Sequence, residues 1–153
     1  MTRLAPLFLV LGSLVTASAG AVHLSPAEQK ILDLTNEARK QNELAPLKPS
    51  AILCKVAQAN SENMAKQGKM EHNLDGKTPL QRLRAAGYAY SRAYENIAAG
   101  DADVSLEALM KAWLASKGHR ENILNAVCTE IGLGIAKDKK GQVYYTQLFG
   151  KQK

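Results

Sequence analysis

The chain has 153 residues, 46% of them apolar and 22% charged, with a net charge of +6; this is the balance of one globular domain, and it excludes a disordered or low-complexity chain. A chain of this length buries about two-thirds of its unfolded surface, enough for a real core. The lysines and arginines are scattered rather than gathered into a stripe, so no nucleic-acid partner is expected, and the basic surface suits anionic wall polymers or lipid headgroups at most.

Residues 1–21, MTRLAPLFLVLGSLVTASAGA, are different in kind. Arg3 precedes an apolar run from Leu4 to Val15, and the small residues Ala17-Ser18-Ala19 and Ala19-Gly20-Ala21 follow. This pattern predicts a cleaved secretory signal: the run is short for a bilayer and no second apolar segment succeeds it. No cysteine follows it for lipid attachment; an uncleaved amino-terminal anchor is the competing reading. Cleavage would remove Arg3 and leave a single domain, residues 22–153, at charge +5. Such a domain is expected to be secreted, periplasmic or in the cell envelope, without a transmembrane segment and monomeric. In an oxidising compartment Cys54 and Cys128 are expected to pair. That bridge would close a loop of about 75 residues and contribute about 4 kcal/mol on chain-entropy grounds. Two buried free thiols are the alternative.

Ser25-Pro26-Ala27-Glu28 is a capping box with proline at the first helical position, and Ile31, Leu34 and Ala38 carry a helix to Gln41. Leu44–Pro49, with two prolines, reads as a connection. A second helix over Ser50–Gln67 has Leu53, Val56, Ala57, Asn60 and Met64 on one face, and Gly68 stops it. Thr78-Pro79-Leu80-Gln81 repeats the capping box for a short helix ending near Gly87. Tyr94–Ala98 suits a strand. Ser105 opens a helix with Leu106, Leu109, Met110, Trp113 and Leu114 inward, which Gly118 is expected to end, so aiming His119. Ile131, Leu133 and Ile135 then alternate with Gly132, Gly134 and Ala136, a strand with one bulky and one nearly bare face. Asp138–Gly141 turns the chain into a last strand, Val143–Phe149. There Tyr144 and Tyr145 should face opposite ways, one in the core and the other toward a cleft or solvent. Helices first and a hairpin last predict an α+β domain with an antiparallel sheet.

His72, Glu95 and His119 each sit at the edge of an element. Two imidazoles and a carboxylate suit an open zinc site, or an acid/base pair oriented by Glu95. Hydrogen-bonded structural histidines are the alternative. Asn96 and Asn122 are expected to bond backbone near this cleft, Trp113 to anchor the core, and Arg120 and Glu121 to form a solvated pair.

Several segments together resemble one family: Leu34-Thr35-Asn36-Glu37-Ala38-Arg39, Met70-Glu71-His72-Asn73, Thr78-Pro79 with Arg82-Leu83, Glu95-Asn96-Ile97-Ala98, Trp113 with Ser116, Gly118 through Leu124, Ile131-Gly132-Leu133-Gly134 and Tyr145-Thr146-Gln147. Their order is similar to that of the CAP superfamily (cysteine-rich secretory, antigen 5 and pathogenesis-related 1), in its bacterial secreted, SCP-like branch. The resemblance implies a three-layer α-β-α sandwich around an antiparallel sheet. It also implies a cleft lined by two histidines and two acids that in some members binds a divalent metal such as zinc. His72, Glu95 and His119 match three of the four positions. The second acid falls on Ser116, so the cleft carries one carboxylate fewer. The metal reading then places His72 and His119 as ligands with Glu95 behind them, and Asn96, Ser116 and Asn122 along the cleft, with no cofactor required. The favoured function is a secreted binding module for a small ligand, lipid or cell-wall component. A zinc-dependent hydrolase or protease using the same cleft is the alternative, and a purely structural polar network is a second one.

Overall fold

A computed structural model describes residues 22–153; the expected signal at residues 1–21 lies outside the described residues. Helix α1, Pro26–Gln41, starts on the predicted box: Ser25 accepts from the Glu28 amide, and Glu28 returns to the Ser25 amide. Strand β1 is Lys48–Pro49, and helix α2, Ala51–Gln67, ends where Gly68 turns left-handed at φ 64°. Helix α3, Pro79–Ala85, has its own capping box between Thr78 and Gln81. Strand β2, Tyr90–Gly100, precedes helices α4, Leu106–Ala115, and α5, Lys117–Ile123. Strands β3, Glu130–Lys137, and β4, Val143–Gln152, close the chain.

The sheet order is β1-β3-β4-β2. β4 pairs antiparallel with both β3 and β2, whereas β1 runs parallel to β3, so the sheet is mixed where an antiparallel one was expected. The parallel edge is formed by Lys48 N to Thr129 O (3.0 Å) and Ser50 N to Ile131 O (2.9 Å). Pro49, between them, has no amide hydrogen to add to the ladder.

Alternation along β3 and β4 divides the core into two faces. Ile131, Leu133, Tyr145 and Phe149 pack with α1, α4 and α5 residues such as Ile31, Met110 and Trp113. Leu148 packs with Leu53, Val56 and Leu83, and Tyr144 with Met64 and Ile97. The result is helices on both sides of the sheet, an α-β-α sandwich. Both tyrosines are buried, Tyr144 at 1% and Tyr145 at 5% exposure, each in the core of its own face; neither borders solvent as expected of one of them. The bare side of β3 is where α2 lies: a Cβ at Gly132 would fall 2.1 Å from the Leu53 carbonyl carbon, and one at Gly134 2.3 Å from that of Ala57. No side chain fits there.

The two cysteines have different surroundings. Cys128 belongs to the core cluster under α1, α4 and α5, while Cys54 is on α2 with its thiol near the Leu133 backbone. Both are free thiols, which corrects the expected Cys54–Cys128 bridge.

Candidate functional site

β2 is the edge strand of the sheet, and the site is built across it. Successive strand residues face opposite ways, so Glu95 turns toward α3 and Asn96 toward α5. On the first side, Glu95 Oε1 lies 2.9 Å from His72 Nδ1, and Glu95 Oε2 accepts from Arg82 Nη2 at 2.6 Å. The Glu95 side chain is only 2% exposed and that of His72 is 50% exposed. A carboxylate only accepts, so His72 Nδ1 carries the proton and its Nε2 is left for a ligand.

Arg82 comes from α3 and does more than pair. Its Nη1 donates to the carbonyls of His72 (2.8 Å) and Lys77 (3.1 Å), so one guanidinium holds the 72–77 turn and Glu95 together. Nothing in its spacing marks it: on a short helix between Gln81 and Leu83 it reads as a solvated cation, and only its place among the family-like segments is a signal.

On the second side, Asn96 Nδ2 donates to the His119 carbonyl (3.1 Å), and Asn122 Nδ2 donates to Asn96 Oδ1 (2.9 Å) and to the Glu95 carbonyl (3.3 Å). Both asparagines therefore bond backbone as expected. Behind them Gln147 links β4 to α1, with Asn96 Nδ2 donating to Gln147 Oε1 (3.2 Å) and Gln147 Nε2 to Thr35 Oγ1 (3.0 Å). Thr35, Asn96 and Gln147 are each 0% exposed. A fully paired buried network of this kind fixes geometry. It ends on the His119 carbonyl, so it positions the backbone and leaves the imidazole uncommitted.

The far end of α5 is held by Arg39, 1% exposed, which donates to the carbonyls of Ile123 (2.8 Å) and Asn125 (2.9 Å). The expected role of Gly118 needs correction. α4 ends at Ser116, which adopts an extended φ −87°, ψ 123° and begins α5 at once. Gly118 and His119 lie in the first turn of α5, so a helix start rather than a glycine stop aims the ring. Ser116 sits at that junction without a side-chain capping bond, and no hydrogen bond joins it to His72, Glu95 or His119. Arg120 donates to the Leu114 carbonyl at 3.1 Å, and Glu121 faces Lys117 at 3.8 Å, so the expected Arg120–Glu121 pair is replaced by two other contacts. Trp113 is a core anchor at 2% exposure, its Nε1 donating to the Ile97 carbonyl.

Burial, and after it the charge of His72, hold His119 below its usual 6.5. A neutral imidazole is the form that binds metals. An imidazole with a carboxylate on its other nitrogen, as His72 has in Glu95, is the common arrangement of metal-bound histidines. Each of the two imidazoles is therefore of a kind that ligates divalent cations. No group of three His, Cys, Asp or Glu is assembled among the described residues, so solvent or a ligand would complete the coordination.

Comparison with known proteins agrees with the fold. The pattern described as CAP, the cysteine-rich secretory protein family, matches residues 32–149. The uncharacterized protein YkwD of Bacillus subtilis is 34% identical over 137 residues, covering 89% of this chain and 52% of that protein. The chain thus spans about half the length of that relative. An outer surface protein from Borrelia burgdorferi superposes with TM-score 0.79 at 26% identity, over 86% of this chain and 97% of that one. An extracellular SCP-domain protein from Bacillus anthracis gives TM-score 0.73 at 30% identity, over 86% of this chain and 45% of that one. Among the described residues, no helix is long and apolar enough to cross a membrane.

Proposed function

The chain belongs to the cysteine-rich secretory protein (CAP) family, and from that premise we propose that it is a binding module acting outside the cytoplasm, whose cleft at His72, Glu95 and His119 takes a small ligand, a lipid or a cell-wall component. The observation that carries this reading is the commitment of Glu95. Its side chain is 2% exposed and its two oxygens are taken by His72 and Arg82, so it orients an imidazole instead of standing ready as a base. What faces a ligand is His72 Nε2 and the half-buried His119 ring. A hydrolase would need a nucleophile or an activated water beside a free base. The two serine candidates offer neither: Ser91 Oγ is bonded to the Lys151 and Gln152 carbonyls, and Ser116 touches neither imidazole by a hydrogen bond.

A divalent cation such as zinc, where bound, would sit on His72 and His119 and would supply charge to polarise a ligand oxygen. Glu95 would then set the His72 tautomer, and Arg82 would set Glu95. An extracellular place of work draws support from the relatives at outer surfaces and in extracellular proteins and from the signal-like residues 1–21. The test is zinc retained after dialysis by the wild type and by His72→Ala. One equivalent in the wild type, lost in the variant, supports the cleft as the site; equal retention in both, or none in either, removes the cation from it. Hydrolysis of a peptide or ester substrate that disappears in His72→Ala would favour the enzyme reading instead.

A further inference from the structure

The two imidazoles are carried by different parts of the fold, and helix continuity does not set the span between them. Ser116 interrupts the helices with an extended backbone and has no side-chain capping bond, so α5 does not inherit its direction from α4. Each helix instead has its own anchor on the edge strand. Trp113 Nε1 donates to the Ile97 carbonyl (3.3 Å) and so fixes α4, while Asn122 Nδ2 donates to the Glu95 carbonyl (3.3 Å) and so fixes α5. Asn122 comes three residues after His119, on the same face of the helix. Glu95 in turn is the residue that holds His72. One amide therefore joins the backbone behind one imidazole to the helix that carries the other, and the rings are near enough for the charge of His72 to act on His119.

The direction of that amide is itself dictated from α1. The Ile31 carbonyl can only accept, so Thr35 Oγ1 donates to it (2.7 Å) and receives the Gln147 amide (3.0 Å). Gln147 is left with an acceptor for Asn96 Nδ2 (3.2 Å), and Asn96 with an acceptor for Asn122 Nδ2 (2.9 Å). The relay runs one way, and reversing any amide in it would set two donors or two acceptors face to face. Asn96 also donates to the His119 carbonyl (3.1 Å), so the relay grips α5 at two places one turn apart.

We propose that Asn122 is a positioning residue for the imidazole pair, a role that rests on reading these two histidines as one cleft. It holds α5 against β2 so that His72 and His119 meet one cation together, and the relay of Asn96, Gln147 and Thr35 sets its amide. Asn122 acts through the helix and not by contact with the cation.

The experiment is a zinc titration followed at the histidine rings of the wild type, Asn122→Leu, His119→Ala and the double variant. Asn122→Leu keeps the bulk of the side chain and removes its donors. It should weaken zinc about ten- to a hundredfold, the usual effect of losing a group that orients a ligand. In the His119→Ala background the same change should have no effect, because no second imidazole is left to place. Equal weakening in both backgrounds, as a loss of general stability would give, or none in either, overturns the proposal. A metal-free readout accompanies it: at fixed pH, His72→Ala should move the His119 ring signals in the wild-type background and leave them unmoved after Asn122→Leu. If the wild type binds no zinc, the cation reading of the cleft fails, and this ring coupling alone judges the positioning role. Its absence from the wild type, or its survival in Asn122→Leu, overturns that role. Should the leucine variant not fold, Asn122→Ala, the better helix former, replaces it in every arm.

Discussion

Replacing Arg82 with methionine keeps an apolar stem of similar length and removes the guanidinium. Glu95, 2% exposed at its side chain, then loses its 2.6 Å partner, and the carbonyls of His72 and Lys77 lose their donor. Removing one partner of a buried ion pair costs about 3–5 kcal/mol. Arg82 is 13% exposed at its side chain, and His72 still faces Glu95, so the lower end, about 3 kcal/mol, is expected. For a domain of this size that is a fall in Tm of about 10 °C. Urea unfolding followed by the fluorescence of Trp113, the single tryptophan, measures it. Adding Glu95→Leu should recover part of the loss, because no unpaired buried carboxylate remains; the double-mutant cycle isolates the pair. A loss below about 1 kcal/mol, the range of exposed salt bridges, would refute the claim that Arg82 clamps the site.

Gly134→Ala should cost several times a typical surface change, because its Cβ would meet the Ala57 carbonyl carbon at 2.3 Å and the helix backbone must give way; about 3 kcal/mol or failure to fold is expected on urea titration. His119 titrates below 6.5 through burial and the His72 charge. The unfolded ring therefore takes its proton first: stability from the neutral ring is complete above 6.5 and is lost as pH falls from there through the folded value. Ring NMR should show the His119 pKa rising in His72→Ala while staying below 6.5; an unchanged value would show that the rings do not feel each other. Thiol titration should find two reactive groups in the denatured protein without reductant. In the native protein Cys128, buried and pushed up to about 11, should be protected; absence of thiols on denaturation would restore the bridge.

Local chemistry made much of this fold legible. The boxes at Ser25/Glu28 and Thr78/Gln81 start helices where expected, Gly68 ends one, and the alternation of Ile131 to Ile135 against two glycines marks a strand whose bare face receives a helix. Three features were not legible, each for a physical reason. β1 is a two-residue parallel edge whose pairing comes from a partner more than eighty residues away. α5 is seven residues long, and Gly118 in its first turn reads as a stop when no tertiary contact is known. That Cys54 and Cys128 stay free thiols is a property of the fold, since residue count alone cannot show whether two sulfurs meet. The site divides the same way. His72, Glu95 and His119 are conspicuous as ionisable residues at element edges, whereas Arg82, Gln147 and Arg39 act through contacts across the fold and carry no local pattern.

The most direct measurement of the central claim is a zinc titration observed at the histidine ring nitrogens of the wild-type protein. His72 Nε2 and the His119 ring should shift together and saturate at one equivalent, with His72 Nδ1 keeping its proton against Glu95. Shifts confined to His23, the remaining histidine of the chain, which precedes α1, or separate saturation of His72 and His119, would contradict a single cleft built across the edge strand.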